Sequence, residues 1–164
     1  MNKLSDEILK KKYSELHNDF IKGDFLNVIK GCNKVLEKRK NQLFFNLLCI
    51  AYQKIGKIEK SIDVMNEALK SNPEHPDFLN NLGLCFYMLH KFSEAEKYFK
   101  KGLEIDNKHL HILNNLGNLK RETNKIEESI EYYKKVLSIQ NDAVPTLFSL
   151  VGICRISNEK EESK

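Results

Sequence analysis

The sequence predicts an all-α fold, a superhelical solenoid of antiparallel helix pairs, from three observations. The residues NNLG at 80–83 occur again at 114–117, an offset of 34 residues between 80 and 114. Apolar residues fall in the same columns when 42–75, 76–109 and 110–143 are aligned. Each of these units also divides into two halves with helical apolar spacing. A fixed period of this length is typical of stacked helix-pair repeats.

The unit 76–109 shows why each half is predicted to be a helix. Apolar residues of its first half lie at i, i+3 and i+7: Leu79, Leu82 and Phe86. Those of its second half lie at i, i+4 and i+7: Ala95, Phe99 and Gly102. Ser93 and Glu96 form an S-x-x-E pattern, which predicts a capping box at the start of the second helix. Each helix has one apolar stripe, so the pair must stack on the next pair to complete its burial.

Small residues recur on the inner faces of both helices. In the first helix they are Cys49, Gly83 and Gly117, and in the second they are Ser61, Ala95 and Ser129. Glycine inside a helix costs about 1 kcal/mol relative to alanine. A chain that accepts this cost at a fixed spacing is predicted to use the space for a close helix crossing.

These features together resemble the tetratricopeptide repeat: the 34-residue period, the Leu-Gly pair, the small residue in the second helix and the aromatic residue four positions later. The resemblance covers three full units, 42–75, 76–109 and 110–143. It implies a solenoid whose concave surface, lined by the first helix of each unit, binds a segment of another protein. Lys120 departs from the pattern, because Tyr52 and Phe86 occupy its column in the other units. We therefore expect a looser seam in the third unit.

The two ends of the sequence fit the pattern only in part. Residues 1–41 are predicted to form a degenerate N-terminal capping repeat, because the second half fits well and the first is too polar. Residues 144–164 are expected to form an incomplete C-terminal repeat, and we expect the chain to be a fragment of a longer protein. Here Leu147, Leu150 and Cys154 continue the apolar stripe, so we expect a partly uncovered face that supports self-association or docking of the tail. The whole pattern predicts seven or eight helices.

The composition argues against several classes of function. The formal net charge is only +4, which gives no concentrated basic face, so we expect no nucleic acid partner. The most apolar run, 43–52, is too short to span a bilayer, so we expect no membrane partner. Cysteines among apolar neighbours, without a CxxC pair, predict reduced structural thiols and a cytoplasmic location. Neither a phosphate-binding loop nor a catalytic grouping is suggested by the spacing, so we expect no enzyme activity, no metal and no cofactor.

The face of the first helices opposite the seam defines the candidate peptide-binding residues. They are Asn46, Ile50, Asn80, Asn81, Leu84, Tyr87, Asn114, Asn115, Asn118 and Arg121. A side-chain amide can both donate to and accept from a peptide unit, so a ladder of asparagines can hold a main chain. The simpler alternative is that these residues are only solvent-facing polar groups.

Two known variations of the family bear on the partner. The carboxylate clamp for acidic chaperone tails needs lysine and arginine beside asparagine at places that hold Asn46, Ile50, Asn81, His111 and Asn115 in this chain. Only Asn81 fits and the cations are missing, which argues against a chaperone-tail binder. The ladder of Asn81 and Asn115 is similar to the asparagine-lined groove of the nucleocytoplasmic O-linked N-acetylglucosamine transferase. The favoured hypothesis is therefore a non-catalytic protein-interaction scaffold, and the alternative is a substrate-recruiting segment of a larger enzyme. RNA-reading helical repeats are disfavoured, because they have a 35-residue period and a basic groove.

Overall fold

A computed structural model describes the backbone of residues 5–162 and the side chains of residues 5–153. Within that range the chain forms nine α-helices and no strand, so the all-α prediction is confirmed. The helices are α1 (Asp6–Ile21), α2 (Phe25–Leu36), α3 (Gln42–Lys54), α4 (Ile58–Ser71), α5 (Pro76–Met88), α6 (Phe92–Ile105), α7 (Leu110–Glu122), α8 (Ile126–Ile139) and α9 (Val144–Glu162). Consecutive helices pair from α1–α2 to α7–α8, and each pair packs on the next. No described helix is long and apolar enough to cross a membrane.

The predicted number of helices, seven or eight, is wrong because the polar first half of residues 1–41 is a complete helix. The Oγ of Ser5 accepts a hydrogen bond from the backbone N–H of Ile8 at the start of α1, where an N-cap residue satisfies a free donor. Helix α1 then buries little more than Leu9 and Leu16. A Cβ on Gly31 of α2 would collide with the Leu16 side chain. A narrow apolar stripe is therefore enough for α1, because α2 offers it a glycine-sized space.

The predicted capping box at Ser93 and Glu96 is wrong. Helix α6 begins at Phe92 with Lys91 as its N-cap, and no side chain caps it. The turn before α6 reverses the chain through His90, whose φ is 56°. This early start places Glu96 in the body of the helix, where its carboxylate accepts a hydrogen bond from Lys100 at 2.7 Å.

The close helix crossing predicted from the small residues is present. A Cβ on Gly83 would lie 2.6 Å from Cε1 of Phe99, and one on Gly117 would lie 2.5 Å from Cε1 of Tyr133. Each glycine thus receives an aromatic ring from its partner helix. Ser129 adds a hydrogen bond at the same crossing, because its Oγ donates to the carbonyl of Gly117 at 2.8 Å. In the unit 42–75, the Oγ of Ser61 donates an equivalent hydrogen bond to the carbonyl of Cys49 at 2.8 Å.

The expected looser seam at Lys120 is wrong. Its side chain is only 3% exposed, and its Nζ lies 2.9 Å from a carboxylate oxygen of Glu96 on α6 and 2.7 Å from one of Glu128 on α8. The ammonium thus bridges three helices at a position where the other units place an aromatic ring. Ion pairing of a buried cation replaces ring packing there, because an unpaired charge would be costly to bury.

The predicted stripe of the C-terminal segment is only partly correct. Helix α9 turns Thr146 and Ile153 into the core, at 1% and 2% exposure, while Leu147 remains 41% exposed. Leu150 is half-buried. The side chain of Cys154 and those of the remaining tail lie outside the described residues. The buried residues Thr146 and Ile153 each lie one position before a residue of the predicted stripe, Leu147 and Cys154. The helix therefore keeps a second apolar face exposed.

Candidate functional site

The first helices of successive pairs are joined by a ladder of side-chain hydrogen bonds. The Nδ2 of Asn81 on α5 donates to Oδ1 of Asn46 on α3 at 2.9 Å. The Nδ2 of Asn115 on α7 donates to Oδ1 of Asn80 on α5, also at 2.9 Å. The same geometry recurs because equivalent asparagines lie one solenoid step apart. We call these four residues the asparagine ladder.

A related contact joins α7 to α9 with a different donor. The Oγ1 of Thr146 donates to Oδ1 of Asn114 at 2.7 Å, and Nδ2 of Asn114 donates to the Leu110 carbonyl at 3.2 Å. The amide of Asn114 therefore has a structural partner at each end. This contact also explains why α9 buries a threonine.

The ladder divides the predicted asparagines into two kinds. Asn80 is 8% exposed and accepts from the next helix, so it holds neighbouring repeats together. Asn81 and Asn115 are half-buried and use one N–H each. Their Oδ1 atoms have no hydrogen-bond partner among the described residues, and the only buried polar side-chain atom without one in that range is Nδ1 of His75. The free oxygens of Asn81 and Asn115 are therefore open to solvent.

The remaining predicted residues lie beside the ladder. Ile50, Leu84 and Tyr87 are half-buried, and Arg121 is exposed. Asn118 is half-buried, and its Oδ1 accepts from the Tyr133 hydroxyl at 2.7 Å. We give the name asparagine face to the whole set: the asparagine ladder, Ile50, Gln53, Leu84, Tyr87, Asn114, Asn118 and Arg121. It combines open amide groups with apolar side chains and a single cation.

Sequence reasoning missed Gln53, which shares its repeat column with Tyr87 and Arg121. Its Nε2 donates to Sγ of Cys49 at 3.5 Å and to Sγ of Cys85 at 3.2 Å. The hydrogen bond between the two thiols, together with burial, raises the pKa of Cys49. The same bond lowers the pKa of Cys85 in spite of its burial. The 34-residue repeat, which aligns Gln53 with the predicted residues Tyr87 and Arg121, is the sequence signal that could have identified it.

Burial raises the pKa of Tyr87, and the nearby negative charge of Glu122 adds to that increase. The phenol is therefore a neutral hydrogen-bonding group at physiological pH. Its ring lies 5.7 Å from that of Phe92 between centroids, which fixes one side of the tyrosine against α6. Tyr87 can thus offer both an apolar ring and a hydroxyl to a bound segment.

The periodic histidines have structural partners in the loops between repeats. His75 Nε2 lies 2.9 Å from Gln42 Oε1, and His109 Nε2 lies 2.9 Å from Asp77 Oδ1. Each histidine therefore links the loop before one first helix to the start of the previous first helix. Over the described residues, no group of three or more histidine, cysteine or acidic side chains could hold a metal ion.

Comparison with protein-family models matches three segments of the chain to the tetratricopeptide repeat. One model of that family covers residues 76–109, and a second covers residues 42–75 and 110–142. The matched segments account for more than half of the chain. No curated protein matches the sequence.

Solved structures of other repeat proteins share the fold. The thermophilic TPR protein TTC0263 of Thermus thermophilus matches with a TM-score of 0.81 at 16% identity, over 87% of this chain and 79% of that one. YrrB, described as a TPR protein with an unusual peptide-binding site, matches with a TM-score of 0.68 at 19% identity, over 84% of this chain and 72% of that one.

The first TPR of Spaghetti (RPAP3), solved with the HSP90 peptide SRMEEVD, has a TM-score of 0.65 at 21% identity, over 71% of this chain and 92% of that one. Identities this low establish a common architecture alone. Together with the family-model matches and the helix pairs described above, they place this chain in the tetratricopeptide repeat family.

Proposed function

We propose that the protein is a non-catalytic interaction scaffold that binds an extended segment of a partner protein on the asparagine face. The fold supports a protein-interaction role in general, since tetratricopeptide repeats are interaction modules. The observation that carries the finer proposal is the state of Asn81 and Asn115. Each amide is held by one hydrogen bond within the ladder, has its oxygen open to solvent, and keeps a second N–H without a partner among the described residues. A side chain already held in place loses little conformational entropy on binding.

The spacing of these two amides suits a peptide main chain. They occupy equivalent places on α5 and α7, so their open groups repeat by one solenoid step. An amide offers a donor and an acceptor side by side, which complements the N–H and C=O of a peptide unit without reading its side chain. Ile50, Leu84 and Tyr87 lie beside the amides and supply apolar contacts for the partner's side chains.

The charge of the asparagine face argues against an acidic tail as the partner. The acidic peptide SRMEEVD is bound by the RPAP3 domain. The places of a carboxylate clamp hold Asn46, Ile50, Asn81, His111 and Asn115 in this chain, and none of them is a lysine or an arginine. Arg121 is the only cation among the predicted residues. We therefore propose a partner segment that is largely uncharged, bound with weak dependence on salt.

The proposed setting is a reducing compartment such as the cytoplasm. Cys32, Cys49 and Cys85 are buried free thiols that fill small spaces in the core. Cysteines of this kind are typical of proteins that are kept reduced.

The test begins with affinity capture by the whole chain and mapping of the bound segment to a synthetic peptide. Isothermal titration then compares the wild type with the double variant Asn81→Ala/Asn115→Ala. Each lost neutral hydrogen bond costs about 0.5–1.5 kcal/mol, so we expect the affinity to fall by roughly ten- to a hundredfold.

The matched control is Asn66→Ala/Asn107→Ala, which removes two exposed asparagines outside the asparagine face. It should bind like the wild type. Thermal melts of all three proteins exclude unfolding as the cause of a loss. Equal affinities for the wild type and Asn81→Ala/Asn115→Ala would refute the proposed site.

A further inference from the structure

A groove lies between α1 and α2 at the N-terminal end of the described solenoid. It has a volume of about 390 Å³, and no residue of α3 or of a later helix lines it. Ile8 and Leu16 of α1 and Val35 of α2 form its apolar floor. Ile8 is 53% exposed at the edge of this floor. An apolar surface that stays open in this way can receive a side chain of a binding partner.

An additional turn at the start of α1 lengthens one wall of the groove. Helix α1 has 16 residues, whereas α3, α5 and α7 have 13 each. All four helices end at the same distance from the positive-φ residue of the following turn, so the additional residues precede the start of the other first helices and include Ile8. An ion pair of 2.8 Å between Asp6 Oδ1 and Arg39 Nη1 joins this turn to the chain beyond α2. The long wall is therefore a feature of the first helix pair alone.

Lysines form the rim of the groove. Lys30 and Lys34 lie one turn apart on α2, Lys38 follows the end of that helix, and all three are exposed. None of the three makes an ion pair with a residue in the described range, whereas Lys12 on α1 pairs with Glu15 at 3.0 Å. The rim thus presents three uncompensated positive charges beside an apolar floor. We call this feature the lysine groove.

Lys12 occupies a position that belongs to the core in the later units. The positive-φ residues of the turns within the helix pairs set the register, and they are Gly23, Gly56, His90 and Asn124. In that register Lys12 is equivalent to Phe45, Leu79 and Leu113, which are 3%, 1% and 2% exposed. Lys12 is half-buried, with its ammonium at the rim. The first pair therefore presents charge where the later pairs present apolar side chains, which does not suit the packing of another apolar helix pair.

The contacts within the chain do not account for the row of lysines on α2. Lysines at i and i+4 repel each other, so the row weakens its own helix. The helix dipole favours a cation in the last turn, which contains Lys34 but not Lys30. The repeat does not require the row either, since the equivalent positions of the next unit are Asp63, Glu67 and Ser71. A partner that brings negative charge would remove the repulsion.

The carboxylates beside the lysine groove already have polar partners. Glu15 pairs with Lys12 at 3.0 Å, Asp6 pairs with Arg39 at 2.8 Å, and Asp19 accepts a hydrogen bond from Nδ2 of Asn27 at 2.7 Å. None of them contacts the row of lysines on α2. The counter-charges for this row must therefore come from another molecule.

We propose that the lysine groove binds an acidic amphipathic helix of a partner protein. Lys30 and Lys34 are separated by about 6 Å along α2, which is also the rise between glutamates at i and i+4 of a bound helix. The apolar stripe of that helix would cover Ile8, Leu16 and Val35, as in other helix-in-groove contacts. A nucleic acid backbone would pair with the lysines but would leave this apolar floor uncovered.

This interaction is independent of the proposed peptide binding, because the lysine groove shares no residue with the asparagine face. The two surfaces also differ in the segment that they select. The asparagine face suits a largely uncharged segment and weak dependence on salt. The lysine groove requires acidic residues, and its affinity should fall as salt screens the exposed lysines.

The test is fluorescence polarisation with a labelled helical peptide that carries leucines on one face and glutamates at i, i+4 spacing beside them. The whole chain should bind this glutamate peptide saturably. The matched probe has glutamine in place of every glutamate, and it should bind at least about tenfold more weakly because it brings no counter-charge. Raising the salt should weaken the binding of the glutamate peptide far more than that of the glutamine peptide.

Two variants locate the binding in the lysine groove. Lys30→Glu/Lys34→Glu/Lys38→Glu reverses the charge of the rim and should weaken the binding of the glutamate peptide at least about tenfold. Ile8→Ser removes an exposed part of the apolar floor and should weaken it by roughly threefold or more. The matched control is Lys97→Glu/Lys101→Glu/Lys134→Glu, which makes the same change in charge at exposed lysines outside the groove and should bind within roughly twofold of the wild type.

Circular dichroism checks that each variant is folded. The proposal would be overturned by a wild type that does not bind the glutamate peptide, or by a folded rim variant that binds it as well as the wild type does. Equal affinities for the glutamate and glutamine peptides would overturn it as well. Tighter binding of oligouridylate than of the glutamate peptide would assign the lysine groove to nucleic acid instead.

Discussion

Gly83→Ala isolates the contact on which the helix crossing depends, because it adds one methyl group. That Cβ would lie 2.6 Å from Cε1 and 2.7 Å from Cδ1 of Phe99. Carbon atoms pack at about 3.5–4.0 Å, so the ring would have to retreat by about 1 Å. Phe99 is fully buried, so this retreat would displace the side chains around it.

Two opposing effects set the size of the change. Alanine gains about 1 kcal/mol over glycine in helix propensity. Overpacking a filled core costs about 1–3 kcal/mol. We expect the second effect to win, with a net loss of about 1–2 kcal/mol in the free energy of unfolding, measured by urea denaturation.

The unit 42–75 suggests a compensating change. Cys49 has a Cβ in the glycine column, and there Met65 stands in the column of Phe99. Methionine is flexible and fills irregular space. Phe99→Met should therefore offset part of the cost of Gly83→Ala, giving a favourable coupling of about 1 kcal/mol in a double-mutant cycle.

Gly152→Ala is the control, because a Cβ there meets no atom within 4 Å. It should be neutral or gain up to about 1 kcal/mol from propensity alone. If Gly83→Ala gained stability to the same extent as Gly152→Ala, the close crossing would be refuted.

Three further predictions follow from the polar contacts. Lys120→Met should change the free energy of unfolding by no more than about 1 kcal/mol. Glu96→Gln should lower that free energy by about 1–3 kcal/mol, because it leaves a buried ammonium with fewer counter-charges. Urea denaturation that ranks the two variants in the opposite order would contradict this prediction. Burial raises the pKa of Glu96, but Lys100 and Lys120 outweigh it and hold that pKa below the ordinary value of a glutamate. The stabilising effect of this carboxylate is therefore complete above the ordinary pKa and is lost as the pH falls through the lowered one. The wild type should lose stability more steeply in acid than Lys120→Met, and parallel pH curves would argue against it. Asn80→Ala should lower the melting temperature by an amount equivalent to about 1–2 kcal/mol, because it removes an acceptor of the ladder. An unchanged melting temperature would show that this hydrogen bond does not stabilise the fold.

The helix pairs could be predicted from the sequence because their determinants repeat. Gly83 and Gly117 occupy one column, and the aromatic residues that pack on them occupy another, so a single period specifies both sides of each contact. Helix α1 lacked this signal. It has few buried residues. Its close contact also reverses the usual arrangement: the large residue, Leu16, is on the first helix of the pair, and the glycine, Gly31, is on the second.

The polar contacts were harder to predict because they depend on geometry between repeats. The sequence predicts that the paired asparagines lie on the first helices, but it does not predict the hydrogen bond from Asn81 to Asn46 in the preceding unit. The sequence predicts a looser seam at Lys120 because it does not reveal the partners of this lysine: Glu96 and Glu128 lie on different helices from it and from each other. Pairing of this kind needs the three-dimensional arrangement of the helices.

The most direct test of the central claim is to map the bound peptide by nuclear magnetic resonance on the ¹⁵N-labelled protein. Titration with the captured partner peptide should shift the side-chain amide signals of Asn81 and Asn115 and the backbone signals of Ile50 and Leu84. These residues report on the asparagine face in the absence of any mutation. Shifts confined to α4, α6 and α8, with the two asparagine amides unmoved, would contradict the account.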